Sequence, residues 1–442
     1  MKKKIRALIP EFIIILYHKV QAHLAAFYFG YPGRKMVCIG ITGTKGKTST
    51  ANFIWSVLKE NPLITPGLIG TANIRIGQKE ILNDYHMTMP NTWILQRFLK
   101  KMKDAGCTHV VVEVTSEGMK LGRHIGIPFD VAIFTNLSPE HLPSHNNSFD
   151  EYKKTKGILF KQISSHHKKI KGERVPKMII ANADDEHSKY FLDFKADKKI
   201  TYGMEKGDIV VKNCSQTKHG VIGTIDGVTY TLSILGVFNM YNALPAYVIA
   251  KEYGFDTKMI GRGLQSLQGI PGRMEKIDEG QPFSVFVDYA HEKLSMNALL
   301  DSARALKSDG DARVIVLFGA QGGGRDKEKR KWMGYASGEK ADIVILTKDD
   351  SYEEFPLKIM EDIAVYVREK EKIDEKNLFL IVDRREAIKK AFTLAKEHDI
   401  VLLAGKGAEQ FIIENNAHIP WDDRMVAREL LSEMGYSKNN DK

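Results

Sequence analysis

Gly40-Ile41-Thr42-Gly43-Thr44-Lys45-Gly46-Lys47-Thr48 is the stretch on which the reading of this chain turns. Before it, Met36 to Ile41 is a short apolar run with β-branched residues. After it, Ala51, Ile54, Trp55 and Leu58 recur at helical spacing, so the pattern is strand, loop, helix. Glycines at such a junction let backbone N–H groups close around a phosphate, and the helix N-terminus adds partial positive charge. Lys47 is placed to reach terminal phosphates and Thr48 to ligate magnesium. The spacing departs from the usual phosphate loop, because Ile41 stands where a glycine five positions before Gly46 is expected.

Working outward, Leu95, Phe98, Leu99 and Met102 form a helical stripe closed by Gly106, and His109 to Val114 reads as a buried strand. Val131 to Thr135 predicts a further strand leading into the loop Asn136 to Asn147. The middle of the chain carries strand-like Met178 to Ala181, an alternating stretch Gly227 to Leu235, and a helical segment from Asn239. From about Pro271 the pattern restarts with strands at Val285 to Asp288, Val314 to Phe318, Ile343 to Leu346, Leu378 to Ile381 and Ile400 to Leu403, alternating with helices. That alternation implies a second parallel α/β unit.

At 442 residues the chain exceeds what one core supports, and 43% hydrophobic with 27% charged residues is ordinary for a globular protein. The formal charge of +10 is spread along the chain, which argues against a nucleic-acid surface; attraction of polyanionic small molecules is the reading that a nucleotide site strengthens. Cys38, Cys107 and Cys214 lie far apart, as core thiols rather than a disulfide or metal set, consistent with a reducing cytoplasm. The opening MKKKIR followed by Leu8, Ile9, Phe12 to Leu16 and Tyr17 has the look of a signal peptide. Pro10 and Glu11 interrupt it, and it is too short to span a bilayer, so an amphipathic helix packing on the next domain is expected, without stable membrane insertion and with peripheral membrane contact as the minor alternative.

The variant loop resembles the Mur ligase family, whose phosphate loop is Gly-Thr-x-Gly-Lys-Thr/Ser. Further stretches resembling that family follow in order: Val112-Glu113-Val114-Thr115-Ser116, Phe134-Thr135-Asn136-Leu137 with His141, Lys156 in Thr155 to Phe160, Asn182 to Asp185, Gly236 to Asn239 with Asn242, and Pro271 to Glu275. Asp288 to His291, Gly322 to Arg330, Asp383 to Ala387, Gly405-Lys406-Gly407 and Asp422 to Arg424 carry the resemblance to about residue 430. It is strongest to the branch that makes the UDP-MurNAc-tripeptide.

The resemblance implies an α/β fold. A central P-loop mononucleotide-binding domain (36–270) with a parallel-rich sheet would follow a short N-terminal helical segment (1–35) and precede a C-terminal Rossmann-like ligase domain (271–442). It implies an ATP-dependent carboxylate–amine ligase acting through an acyl phosphate, with ATP and Mg2+. Gly43, Thr44, Lys45, Gly46, Lys47, Thr48, Ser49, Asn239, Asn242, Arg273 and Asp288 would bind nucleotide, with Tyr289 and His291 as further candidates. Lys47, Glu113, His141 and Lys156 would be catalytic. Thr48, Glu113 and His141 would hold magnesium, and a carbamylated Lys156 would orient it. Thr88, Ser116 and Arg123 would meet the muramoyl-peptide, and Asp349, Asp350, Gly405 and Glu409 the amino acid. A monomer in the cytoplasm is expected, with small-molecule substrates as partners and no nucleic acid; a partner protein in place of the uridine domain stays open.

Two departures stand out. The usual N-terminal uridine domain of this branch is not matched, since only about 35 residues precede the first strand. Where diaminopimelate-using members carry Asp-Asn-Pro-Arg, this chain reads Asp349-Asp350-Ser351-Tyr352, and Gly-Lys-Gly-His-Glu appears as Gly405-Lys406-Gly407-Ala408-Glu409. Tyr352 lacks the guanidinium fork for a second carboxylate, which favours lysine or another amine. A folate-like or polyamino-acid acceptor is the rival expectation, and a non-catalytic nucleotide-binding scaffold a third.

Overall fold

Val37–Thr42 forms the middle of a sheet because its residues are apolar or small on both faces, as a parallel strand covered by helices requires. It pairs in parallel with His109–Glu113 on one side and Val131–Phe134 on the other, in registers that set Ile41 opposite both Glu113 and Ile133. In this computed structural model, which describes residues 10–83, 85, 87–139, 142–165, 167–217, 219–307, 310–324 and 327–437, the sheet has eleven strands among the described residues. Pro66–Ile69 and Met178–Asn182 extend the parallel centre. Antiparallel hairpin strands Asn73–Ile76 and Lys79–Leu82 finish one edge, and strands from Lys198–Gly203 to Val228–Leu232 finish the other.

The helix Phe149–Ile163 lies close against the central strand: a Cβ on Gly40 would stand 2.8 Å from Leu159 and 2.9 Å from Phe129. Glycine at this position therefore sets how near the helix comes to the sheet.

The expected N-terminal helix forms at Glu11–Tyr28 and packs on the unit that follows, but through its small residues rather than its large apolar ones. Its buried side chains are Ala22, Ala25 and Ala26, which allow close approach to the neighbouring helix Thr92–Asp104, while Gln21 Oε1 accepts from Trp93 Nε1 at 2.8 Å. Most of its large apolar residues, including Ile13 and Tyr17, point to solvent, with Ile14 and Ile15 half-buried. No helix among the described residues is long and apolar enough to cross a membrane. Cys38 and Cys107 are buried and Cys214 half-buried, all as free thiols.

The chain groups into two compact units: Met1–Ser215 with Ile222–Ser233 and Asn239–Leu267, and Gln216–Val221 with Ile234–Phe238 and Gln268–Lys442. The second is built on six strands among the described residues, ordered Glu275–Ile277, Ser284–Asp288, Ile400–Ala404, Val314–Phe318, Ile343–Leu346 and Leu378–Leu380. All pairings are parallel except the first. Separate apolar clusters cover its two faces, one around Phe318 and Met333, the other around Phe392 and Leu430, giving the three-layer arrangement of an open α/β sheet.

The candidate active site

The loop between Val37–Thr42 and the helix Lys47–Leu58 leaves the carboxyl end of the central strand, where open α/β sheets form their ligand crevices. Gly43 and Gly46 take φ of +154° and +82°, and Gly46 is the residue just before the helix. Neither tolerates a side chain: a Cβ on Gly43 would fall 1.9 Å from Thr135 Oγ1, and one on Gly46 2.4 Å from Asn242 Oδ1.

The loop is held from behind by the segment that follows Val131–Phe134. Asn136 accepts from Thr44 N (2.9 Å) through its carbonyl and from Lys45 N (2.8 Å) through its side chain, while Thr135 Oγ1 donates to the Lys45 carbonyl (2.7 Å). These two residues position the loop. The sequence motif located them but gave them no role. Lys47 Nζ curls back to the Gly43 and Thr44 carbonyls, 2.9 Å from each. Ser49 is buried in the first turn of the helix.

Glu113 ends its strand fully buried beside the start of that helix. Its Oε2 accepts from Thr48 Oγ1 (3.0 Å) and Thr71 Oγ1 (2.9 Å), and its Oε1 from Thr71 N (2.7 Å). Gly70 makes room for it, since a Cβ there would lie 2.4 Å from Oε1. Among the described residues all of these donors are neutral. A buried carboxylate without a cationic partner carries charge that the interior disfavours, and a divalent cation held by this carboxylate and the Thr48 hydroxyl would compensate it. The residues present therefore fit magnesium.

Lys156 is brought to the same loop from the helix Phe149–Ile163, 2% exposed. Its Nζ donates to the Gly43 carbonyl at 2.8 Å and sits 4.5 Å from the centre of the Tyr152 ring. The Tyr152 hydroxyl lies 3.3 Å from Thr44 Oγ1. Asn239 and Asn242 start the helix that meets the loop from the other side, joined by Asn242 Nδ2 donating to Asn239 Oδ1 (2.9 Å), and Asn242 abuts Gly46. Reading them as helix caps leaves that approach unexplained.

Of the three residues expected to meet the acceptor, Thr88 reaches Glu113 through Thr71. The Thr88 hydroxyl is 3.0 Å from that of Thr71, Arg123 Nη1 donates to the Met89 carbonyl (2.6 Å), and burial lowers the Arg123 pKa. Ser116 Oγ is 3.0 Å from His145 Nε2. His145 is buried, and its pKa is lowered by that burial and then by the charges of Lys120 and Lys156, which favours the neutral ring. Sequence reading passed over His145 for His141, which lies outside the described residues.

In the second unit, Asp288 accepts from Met274 N (2.7 Å) and Ala290 N (2.8 Å), which fixes the turn after its strand. Arg273 stacks 4.5 Å from the centre of the Tyr289 ring, and Tyr289 donates to Glu409 (3.2 Å). His291 Nδ1 is 2.6 Å from the Tyr289 carbonyl. Asp349, Asp350 and Glu409 converge on Lys406, whose Nζ stands 3.6, 2.9 and 2.7 Å from them. Gly405, at φ +107°, lets the chain pass Asp349, where a Cβ would come within 2.9 Å of Oδ2. Burial raises the pKa of Lys406's partners Asp350 and Glu409, whereas at Asp349 the cations Lys406 and Arg384 outweigh burial and lower it. Lys406 was quoted in the sequence only as part of a motif; here it is the hub of the cluster. Tyr352, at φ +52°, lays its ring on Gly323, at 2.8 Å from where a Cβ would stand.

An ATP-type phosphate loop on one α/β unit, with a carboxylate and a lysine converging on it, and a Rossmann-like second unit define a two-unit nucleotide-dependent ligase. Residues 41–250 match the Mur ligase middle domain, and residues 272–407 match the Mur ligase, glutamate ligase domain. A UDP-N-acetylmuramoyl-L-alanyl-D-glutamate--2,6-diaminopimelate ligase of Geobacillus kaustophilus is 36% identical over 432 residues, 97% of this chain and 85% of that protein. A UDP-N-acetylmuramyl-tripeptide synthetase of Roseiflexus sp. is 36% identical over 424 residues, 94% and 82% of the two chains. Among solved structures, a UDP-N-acetylmuramoyl-L-alanyl-D-glutamate--2,6-diaminopimelate ligase superposes with a TM-score of 0.61 at 27% identity, covering 91% of this chain and 79% of that one. The fold is shared with a Mycobacterium tuberculosis folylpolyglutamate synthase complexed with ADP, TM-score 0.69 at 17% identity, covering 87% and 91%. The chain belongs to the Mur ligase family, whose members are ATP-dependent ligases.

Proposed function

We propose that this chain adds an amino acid to a UDP-MurNAc-peptide, with UDP-MurNAc-L-Ala-D-Glu as the acceptor, in peptidoglycan precursor synthesis in the cytoplasm. The observation that carries the reading is the convergence on one loop of Thr48 with Glu113, of Lys156 through the Gly43 carbonyl, and of Asn242 against Gly46. We further propose the division 1–35, 36–270 and 271–442, and action as a monomer.

Two anions, the acceptor carboxylate and a triphosphate, must approach, so the site has to supply positive charge and exclude water. The loop N–H groups and the helix start at Lys47 cradle the phosphates, and Lys47 exchanges its loop carbonyls for their oxygens. Thr48 and Glu113 would hold magnesium, which, when bound, neutralises phosphate charge. His141 is proposed for a second ion. Arg123 orients the acceptor carboxylate with Thr88 and Ser116, and Arg273 and Asp288 are proposed as further nucleotide contacts. In its neutral form the Lys156 amine adds carbon dioxide and releases a proton to solvent, giving a carbamate. The reaction requires a neutral, partly desolvated amine, and Lys156 is 2% exposed.

For the incoming amino acid, the carboxylates of Asp349, Asp350 and Glu409 gathered around Lys406 offer acceptors that suit an amine-bearing side chain. Tyr352 occupies the place where diaminopimelate users carry arginine, so lysine is the proposed amine.

Phosphate release from ATP and Mg2+ is measured with UDP-MurNAc-L-Ala-D-Glu and lysine, diaminopimelate or a mixed amino-acid pool, with mass spectrometry of the product. A product heavier by one lysine is expected. No product from this acceptor, with ATP still bound, overturns the assignment and points to another carboxylate.

A further inference from the structure

We propose that the helix Glu11–Tyr28 is an in-plane anchor that seats this protein on an anionic lipid surface. On a wheel of about 100° per residue, Phe12, Leu16, Val20, Leu24, Phe27 and Tyr28 fall in one arc about 160° wide, shared with Ile13 and Tyr17. All are exposed, Phe12 by 68% and Phe27 by 74%. Only His23 interrupts the arc, and Lys19 stands at its border. The opposite arc, with Gln21 and three alanines, faces the protein.

The helix thus turns its more apolar side outward, the reverse of a helix serving only its own core. The apolar surface does not end at the helix, because exposed Trp93 lies 5.7 Å from the ring of Tyr28. A contiguous exposed patch of this kind marks a contact surface.

Charge selects the occupant. Lys2, Lys3, Lys4 and Arg6 precede the helix in sequence, and exposed Arg34 and Lys35 follow it. Basic residues before and after an apolar stripe in sequence, with aromatic rings along it, match an interface of acyl chains beneath anionic headgroups. A second copy fits less well. The arc is wider than the seam of a two-helix pair, and parallel pairing would bring the two basic ends together.

The full chain is sedimented with phosphatidylcholine vesicles, with and without a quarter phosphatidylglycerol, at low and high salt. Leu16→Glu with Phe27→Glu is compared with Lys2→Gln, Lys3→Gln and Lys4→Gln combined; ATP turnover and the thermal midpoint report folding, and light scattering reports mass. Binding to the anionic vesicles is expected, weakened by salt. The apolar variant should lose about tenfold or more, and each removed charge about fivefold. Absence of binding by folded protein overturns the proposal. So does equal binding to neutral vesicles, or a dimer that the apolar variant dissociates, which would assign the face to a second copy.

Discussion

Glu113→Gln separates charge from shape at the centre of the site. The carboxylate accepts three hydrogen bonds within 3.0 Å, from Thr48 Oγ1, Thr71 Oγ1 and Thr71 N. The amide oxygen can still accept from Thr71 N. The two hydroxyls can turn to accept from the amide nitrogen, so the fold loses no more than about 1–2 kcal/mol, the cost of exchanging charged for neutral bonds. In a protein of this size that shifts the thermal midpoint by only a few degrees. In the proposed role of Glu113, catalysis loses the charge that would face magnesium and the phosphates. Loss of one such preorganised electrostatic partner costs about 3–4 kcal/mol, or a factor of about 10²–10³ in kcat. The assay is ATP-dependent ligation over a magnesium titration, run beside thermal unfolding. Ligation should collapse and recover in part at high magnesium while the midpoint holds. Unchanged ligation, or a midpoint lowered by more than about ten degrees, would show that Glu113 serves the fold and not the reaction.

Two further outcomes follow from buried charge. Lys406→Met strands Asp349, Asp350 and Glu409, so hydrogen exchange in Ile400–Ala404 should report a loss of about 3–5 kcal/mol, partly restored by adding Asp350→Asn. His124 is held by burial, and then by Lys19, at a pKa lowered from 6.5 to about 4, with its Nδ1 lacking a hydrogen-bond partner. Above pH 6.5 both folded and unfolded states are neutral there. Between 6.5 and 4 only the unfolded state takes the proton, so stability falls by up to about 3 kcal/mol. Urea unfolding against pH should show that decline, and His124→Gln should lessen it while His109, also lowered to about 4 by burial, keeps its own share.

Much of the site was legible because its chemistry is local. The loop from Gly40 to Thr48, with a strand before it and a helix after, is a contiguous pattern, and a parallel strand covered on both faces writes its apolar character directly into Val110 to Val112 or Val314 to Phe318. The C-terminal strands were read to within a residue or so for the same reason. The antiparallel hairpin Asn73–Ile76 with Lys79–Leu82 was not read, since short half-exposed strands with mixed burial carry no such run, whereas the edge strand Val228–Leu232 showed as the alternating stretch Gly227 to Leu235. The N-terminal helix was legible, but not which side of it faces the protein.

By itself, then, the sequence determined the two α/β units, the phosphate loop and the residue types that the family's chemistry needs. Only the tertiary structure decided what each of them touches. Thr135 and Asn136 clasp the loop from 90 residues away, Lys406 gathers carboxylates more than 50 residues distant, and Glu113 meets Thr48 and Thr71. Contacts of that kind depend on strand register and helix placement, which packing across the whole sheet settles and no local spacing contains.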